Sequence, residues 1–338
     1  MKQIIDCAYC DGQAHLQKKE NALTFKKEEF GVVEHFYKCN RCEEEFTTTE
    51  SDTVTLLQAQ NQYREKYSIP FPDEIHAIRG KYDLSASKMS EVLGLGINGY
   101  SNYEKGEIPT PAIGNLISTV SKAEVFMTML IKAKGYFNDR AYSEAIKNVE
   151  SLIDCEATSQ PFYVKLNMLT QPSSLTGYKR VNKEKIANIL VSFISKCNSE
   201  FNDRLKLNKL LFYTDFVNYK LSGSSITGLS YRAIDYGPVP SCYENIYNYF
   251  ENENIINSKW IRDSNGAAKE TFITNLEFDE SIFTAEEKQI IEIIAEKFNN
   301  TPTWDLVDLS HAEQGWIDLH IKRELINYQQ YAFDLRAI

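Results

Sequence analysis

Two cysteine pairs at the start of the chain limit its fold more than any other feature. Cys7-Ala8-Tyr9-Cys10 and Cys39-Asn40-Arg41-Cys42 place four of the seven cysteines within the first 42 residues, in CxxC…CxxC spacing. Each pair closes a small knuckle on one side of an ion, and two pairs complete a tetrahedral thiolate set of the kind zinc favours. A segment this short has little core of its own, so the metal supplies much of its folding free energy. Spacing alone leaves rubredoxin-like iron open beside zinc. A thioredoxin-type redox pair would need one CxxC in a βαβ setting, which the sequence lacks. Four protein thiolates leave no position for water, so the expected role is structural and not catalytic. With four sulfurs present, His15 and His35 read as ordinary surface or strand residues. Ala22 to Phe25 and Val32 to Tyr37 read as short strands of a zinc ribbon spanning 1–50.

The stretch Leu84 to Gly106, LSASKMSEVLGLGINGYSNYEKG, has the syntax of a helix-turn-helix. Ser85 caps a first helix with Met89, Val92 and Leu93 on one face, and Asn98 opens a second. Gly94-Leu95-Gly96 between them suits the positive backbone angles of a tight turn. In the second helix, Ile97, Tyr100 and Tyr103 recur at helical period and are expected to face the other helices. That leaves Asn98, Ser101, Asn102 and Lys105 outward, small and amide-rich, as candidate DNA contacts together with Lys88. A side-chain amide can donate to and accept from an adenine edge at once. The bland alternative is a solvated polar face.

The string GINGYSNYEKG, preceded by SKMSEVLG, resembles the helix-turn-helix of the MqsA family of antitoxin repressors, within the wider Xre class. The resemblance implies that Asn98 and Asn102 are base-contacting residues and Glu104 a structural carboxylate. Asn102 stands where the family commonly has Arg, and Ala86 where the class usually has a helix-opening Gln, which implies a different operator and weaker phosphate anchoring. A two-knuckle zinc module ahead of the helix-turn-helix is also similar to the MqsA arrangement, so the likeness covers about 1–120.

Composition restricts what such a helix can bind. The chain has 338 residues and a formal charge of −10, so it is no general polyanion binder. From Pro70 to Val120 the basic residues Arg79, Lys81, Lys88 and Lys105 face Asp73, Glu74, Asp83, Glu91, Glu104 and Glu107. Any DNA binding is expected to be local, salt-sensitive and dimeric. With 43% hydrophobic residues the chain can fill packed cores, and its length suits two or three domains. No signal-peptide pattern or membrane-length apolar run occurs, which predicts a cytoplasmic protein with reduced thiols and no membrane partner.

The expected organisation is a mainly α, multidomain chain: the small-β zinc ribbon, a polar helical linker over 51–69, a five-helix-type helix-turn-helix domain over 70–120, a helical and loop connector over 121–182, and an α-rich domain with a small β element over 183–338. In the connector, Val125, Met129, Leu130, Tyr142, Ala145, Ile146 and Val149 recur at spacings of three and four; Phe126, Met127 and Met129 read as core or dimer-facing positions. In the last domain, Ser241 with Glu244 and Thr284 with Glu287 are capping-box patterns, and Asn265-Gly266 is a hairpin signal.

Three ordered blocks there, LKLNKLLFYTDFVNYKLSG, YRAIDYGPVP and LSHAEQGW, resemble the SocA-like Panacea domain over about 183–325. The resemblance implies an antitoxin that binds and neutralises a protein toxin, or an adaptor that delivers one to a protease, and no catalysis. Lys209 and Tyr213 read as helix-surface positions, and Tyr213, Tyr236, Tyr243 and Tyr247 as candidate partner contacts, although Tyr243, Tyr247, Tyr249 and Phe250 suit a core equally. Asp235, His311 and Glu313 could in principle form an acid-base site, yet no nucleophile motif, phosphate loop or ligand cluster accompanies them. The sequence thus predicts a type II antitoxin and autorepressor that carries structural zinc, dimerises, binds its operator and silences a toxin. The alternative is a protease adaptor or prophage-type regulator without a dedicated toxin.

Overall fold

A computed structural model describes residues 1–158, 168, 171–197, 202–262, 266 and 268–338. The chain divides into two compact units, Met1–Ala59 together with Phe162–Ile338, and Gln60–Pro161. It is mainly helical, with a small amino-terminal sheet around the cysteines and short strands among the carboxy-terminal helices, as the sequence predicts. Among the described residues no helix is long and apolar enough to cross a membrane.

In the first unit, β1 (Ile4–Asp6), β2 (Gln13–Phe25), β3 (Glu28–Cys39) and β4 (Glu45–Phe46) form an antiparallel sheet in sequence order. The strands at its centre are much longer than the short runs expected, because β2 pairs with β3 without interruption from Ala14↔Cys39 to Phe25↔Glu28. Lys26 and Lys27 turn the hairpin with φ of 46° and 71°. Residues with positive φ at both turn positions match the right-handed twist of the flanking strands. Two lysines carry no Asn-Gly signature, so the turn is silent in the sequence. Gln58 fastens the hairpin to the rest of the unit: Val33 N–H donates to its Oε1 at 2.8 Å, its Nε2 donates to Val33 O at 2.9 Å, and Gln329 Nε2 donates to the same Oε1 at 2.8 Å. Lys18 Nζ donates to Phe333 O at 2.7 Å and pairs with Asp334, and the His35 ring lies 5.1 Å from that of Phe333.

α1 (Thr49–Tyr67) occupies the span expected as a linker and runs through the division between the units. The second unit continues with α2 (Pro72–Lys81), α3 (Ala86–Leu93), α4 (Gly99–Glu104), α5 (Pro111–Thr119), α6 (Ala123–Lys132) and α7 (Asp139–Thr158). Pro72 and Pro111 sit in first turns, where a missing N–H costs nothing. Ile75, Tyr82, Met89, Val92, Tyr100, Ile117, Phe126, Leu130 and Val149 share one core, so α6 and α7 complete the core begun by the helices before them. Met127 and Met129 pack against it. Tyr82 stacks on Phe126 at 3.8 Å and donates its hydroxyl to Val120 O at 2.6 Å. Arg64, 3% exposed, donates to Pro70 O at 2.7 Å and Gly106 O at 3.0 Å.

The carboxy-terminal part of the first unit contains α8 (Lys183–Lys196), α9 (Arg204–Ser222), the hairpin β5 (Tyr231–Ile234) and β6 (Gly237–Pro240), α10 (Tyr243–Asn252), the hairpin β7 (Asn257–Arg262) and β8 (Ala268–Ile273), α11 (Ala285–Phe298), α12 (Thr303–His311), α13 (Gln314–Leu319) and α14 (Tyr328–Tyr331). α9 is its axle, buried on every side from Lys206 to Tyr219. Tyr231 and Tyr328 close on its Phe212 and Phe216, with Phe216 and Tyr328 stacked at 4.1 Å. Asp203 caps α9 by accepting from Lys206 N–H at 2.9 Å, and Gly223 ends it in the left-handed region. The capping box of Thr284 and Glu287 forms at α11. That of Ser241 and Glu244 does not: Cys242 holds the N-cap position of α10, while Ser241 Oγ bonds Ser230 Oγ at 2.6 Å and Glu244 accepts from Tyr243. The β7–β8 hairpin occurs where Asn265-Gly266 signals it, although Asn265 lies outside the described residues.

Candidate metal centre and nucleic-acid interface

The loops that enter β2 and leave β3 bring Cys7, Cys10, Cys39 and Cys42 together, all four sulfurs within 4.8 Å of one another. Cys7 Sγ lies 3.7 Å from Cys42 Sγ, and Cys10 Sγ 3.6 Å from Cys39 Sγ. A tetrahedron with metal–sulfur bonds of about 2.3 Å has edges of about 3.8 Å, so the set fits one ion with no position left over. Backbone amides of Tyr9, Gly12 and Arg41 each donate to a cysteine sulfur at 3.3 Å. The N–H groups of Cys42 and Arg41 hold the Cys39 thiol down at about 6. Gly12 is essential to this packing, since a Cβ there would meet Arg41 Cβ at 2.8 Å and Cys39 Sγ at 2.9 Å. Its place two residues after Cys10 is the only trace of that role in the sequence. His15 and His35 stand on β2 and β3, outside this group of sulfurs.

In the second unit, Ser85 caps α3 by accepting from Lys88 N–H at 3.2 Å. Gly94, with φ of 69°, ends α3 while Leu95 N–H reaches back to Ser90 O at 2.8 Å. The buried Ser90 hydroxyl accepts the Tyr100 N–H at 3.1 Å, which fixes the start of α4 against α3. Tyr100 donates to Ile75 O at 2.8 Å, and Arg79 Nε donates to Glu104 Oε1 at 2.6 Å. These bonds hold the inner side of a six-residue helix whose outer side is left open. Asn98, Asn102 and Lys105 are exposed and Ser101 is half-buried, and among the described residues their side chains make no hydrogen bond or ion pair. Asn98 occupies the N-cap position without a side-chain cap bond. Lys88 differs: its ammonium pairs with Glu91 at 2.6 Å and also bonds Tyr136 O. Ile97 departs from the expected inward face and is 85% exposed, because it lies in the turn ahead of the first helical residue.

In the carboxy-terminal part, Tyr213 and Tyr247 are fully buried, Tyr243 is half-buried, and Tyr236 is 52% exposed. Tyr236 meets the exposed Trp304 edge-on at 5.9 Å, a pairing that only the fold brings about. Lys209 and Tyr213 are core groups and not surface ones: α9 is wrapped on all sides, and Lys209 Nζ donates to Pro238 O at 3.0 Å while Tyr213 donates to Glu313 at 3.3 Å. The carboxylates of Asp235 and Glu313 have separate partners. Asp235 pairs with Arg323 at 2.7 Å, and Glu313 accepts from Arg336 N–H at 2.9 Å and Ala337 N–H at 3.0 Å. His311 stacks on Trp316 at 3.8 Å, and burial with the nearby Lys209 lowers its pKa.

Comparison with known families agrees with these parts. Residues 5–123 match the antitoxin component of bacterial toxin-antitoxin systems, MqsA, and residues 207–317 match the antitoxin SocA-like Panacea domain. No curated protein matches the chain. The chain is therefore similar, in order, to the MqsA antitoxin over its first third and to the SocA-like Panacea domain in its last part.

Proposed function

We infer that this protein is the antitoxin of a type II toxin-antitoxin pair, which captures a protein toxin encoded beside it and represses its own operon. The observation that carries this reading is the union of two antitoxin families in one chain, one of them bearing an uncommitted polar face on α4. Four thiolates hold zinc as a closed structural ion, since a filled tetrahedron of soft ligands has no open site for chemistry. Asn98 and Asn102 read base edges in the major groove, assisted by Ser101 and Lys105. Lys88 can join them as a phosphate contact only by giving up Glu91. A homodimer sets two such helices one turn of DNA apart, about 34 Å, and so compensates for the scarcity of basic residues. The toxin docks on the Panacea region, where the exposed Tyr236 and Trp304 pair supplies aromatic contact area.

Co-expression with the neighbouring reading frame tests the capture role. Growth arrest by that product alone, relieved by this protein, is the expected result, and an innocuous neighbour would favour the adaptor or prophage-regulator reading. A gel shift on the promoter duplex against a scrambled one tests repression.

A further inference from the structure

Ile97 is the most exposed large apolar side chain of the second unit's helix-turn-helix, at 85%, and its exposure is built into the backbone around it. Leu95 packs inward against the core and Tyr100 is fully buried, so the chain dips, emerges for Ile97 and Asn98, and dips again. The turn is fixed on both sides by Leu95 N–H on Ser90 O at 2.8 Å and Gly99 N–H on Gly96 O at 2.7 Å. The side chain therefore stands out beside the unbonded Asn98 amide, with Asn102 and Lys105 the exposed residues that follow on α4.

We propose that Ile97 is a specificity-determining residue that reads the 5-methyl group of a thymine next to the base held by Asn98. This rests on the operator-binding reading of α4 given above. A single exposed isoleucine among polar residues is too small for the apolar centre of a protein interface, which is built from clustered anchors. It matches the one apolar feature that base pairs present in the major groove, the thymine methyl. The branched side chain is stiff at χ1, so the contact costs little ordering entropy.

The test uses the full-length, zinc-loaded protein and a duplex from immediately upstream of its own gene, with thymines replaced one at a time by deoxyuridine, which removes only the methyl. At one position per half-site the wild-type protein should lose roughly fourfold in affinity. Ile97→Ala should bind the unmodified duplex more weakly by a similar factor, lose nothing further at that uracil, and unfold as the wild type does because the residue is exposed. Ile97→Val should keep most of the methyl sensitivity. Indifference of the wild type to every methyl, or undiminished sensitivity in Ile97→Ala, overturns the proposal. Failure of the wild type to distinguish the promoter from scrambled duplex is a different result, and overturns the operator reading together with it.

Discussion

α4 and α9 are both rich in polar residues, yet they use them in opposite ways. On α4 and at its two ends, the side chains of Asn98, Asn102 and Lys105 are exposed and make no hydrogen bond or ion pair among the described residues. On α9, Lys206 donates to Asn299 O and Thr301 O at 2.9 Å each, Lys209 to Pro238 O at 3.0 Å, and Asn218 to Ser224 O at 2.8 Å. Asp215, fully buried, accepts from the backbone of Ile226 and Thr227 at 2.8 Å each and from the Tyr231 hydroxyl at 2.8 Å, and also bonds the Thr227 hydroxyl. A buried polar group without a partner is costly, so each of these residues fixes the backbone of another segment against the helix. The polar residues of α9 build the domain, whereas those of α4 remain available for something outside the chain. Chemical type alone does not separate these cases; exposure and bonding do.

The cysteine cluster is the extreme of the inward-facing case, because the partner its four sulfurs would share is the ion proposed above. Chelation or Cys39→Ser should remove the binding free energy that orders the cysteine loops, about 10–16 kcal/mol for a structural zinc site near neutral pH. Hydrogen exchange is expected to show loss of protection in β1 and at the cysteine ends of β2 and β3, with α9 still protected. Equal protection with and without chelator would mean that the fold there needs no metal. Next in size, Asp215→Ala leaves two backbone amides and two hydroxyls without their acceptor, and should lower the stability of its unit by about 3–4 kcal/mol in a denaturant titration. A smaller effect than about 1 kcal/mol would mean that water or another group replaces the carboxylate readily.

These cases also explain which parts of the molecule were legible in the sequence. The cysteine cluster and the ends of α3 were, because their determinants are local: CxxC spacing, a Ser85 cap, Gly94 at a positive-φ helix end. The long β2–β3 hairpin was not, since Lys26-Lys27 adopt left-handed angles without the usual turn residues. Ile97 was misplaced because helical period does not apply in the turn before a helix starts. Tyr213 and Lys209 read as surface candidates for a different reason. α9 is buried all round by segments distant in sequence, and no periodicity within the helix announces that. Likewise Ser241 pairs with Ser230 across a hairpin instead of capping α10, a choice made by tertiary contacts.

Asn98→Ala sharpens the contrast from the other side. It should weaken operator binding by about 1–3 kcal/mol while leaving unfolding unchanged. A stability loss comparable to that of Asp215→Ala would place Asn98 among the structural residues, and an unaltered gel shift would remove it from the reading face.

A slope against pH, and not a loss at one pH, is the effect expected of Lys209. Burial drives its pKa down to about 7, against an ordinary value of 10.5, with the charge of Asp203 only partly opposing this. Because the folded chain holds the neutral amine, the unfolded chain binds more protons between those values, and stability rises with pH across the window. The slope contributed by one such group is at most about 1.4 kcal/mol per pH unit. Lys209→Met keeps the length of the side chain beside Gly237, where no Cβ is tolerated: it would sit 2.2 Å from Ser310 Oγ and 2.7 Å from Lys209 Cε. The variant should therefore fold, lose one bond to Pro238 O, and flatten the dependence of stability on pH between about 7 and 10.5. If the slope persists in Lys209→Met, another group sets it. If it disappears, a lysine that the sequence offers as a surface charge is held neutral inside the domain, and its place on α9 is one of packing and bonding.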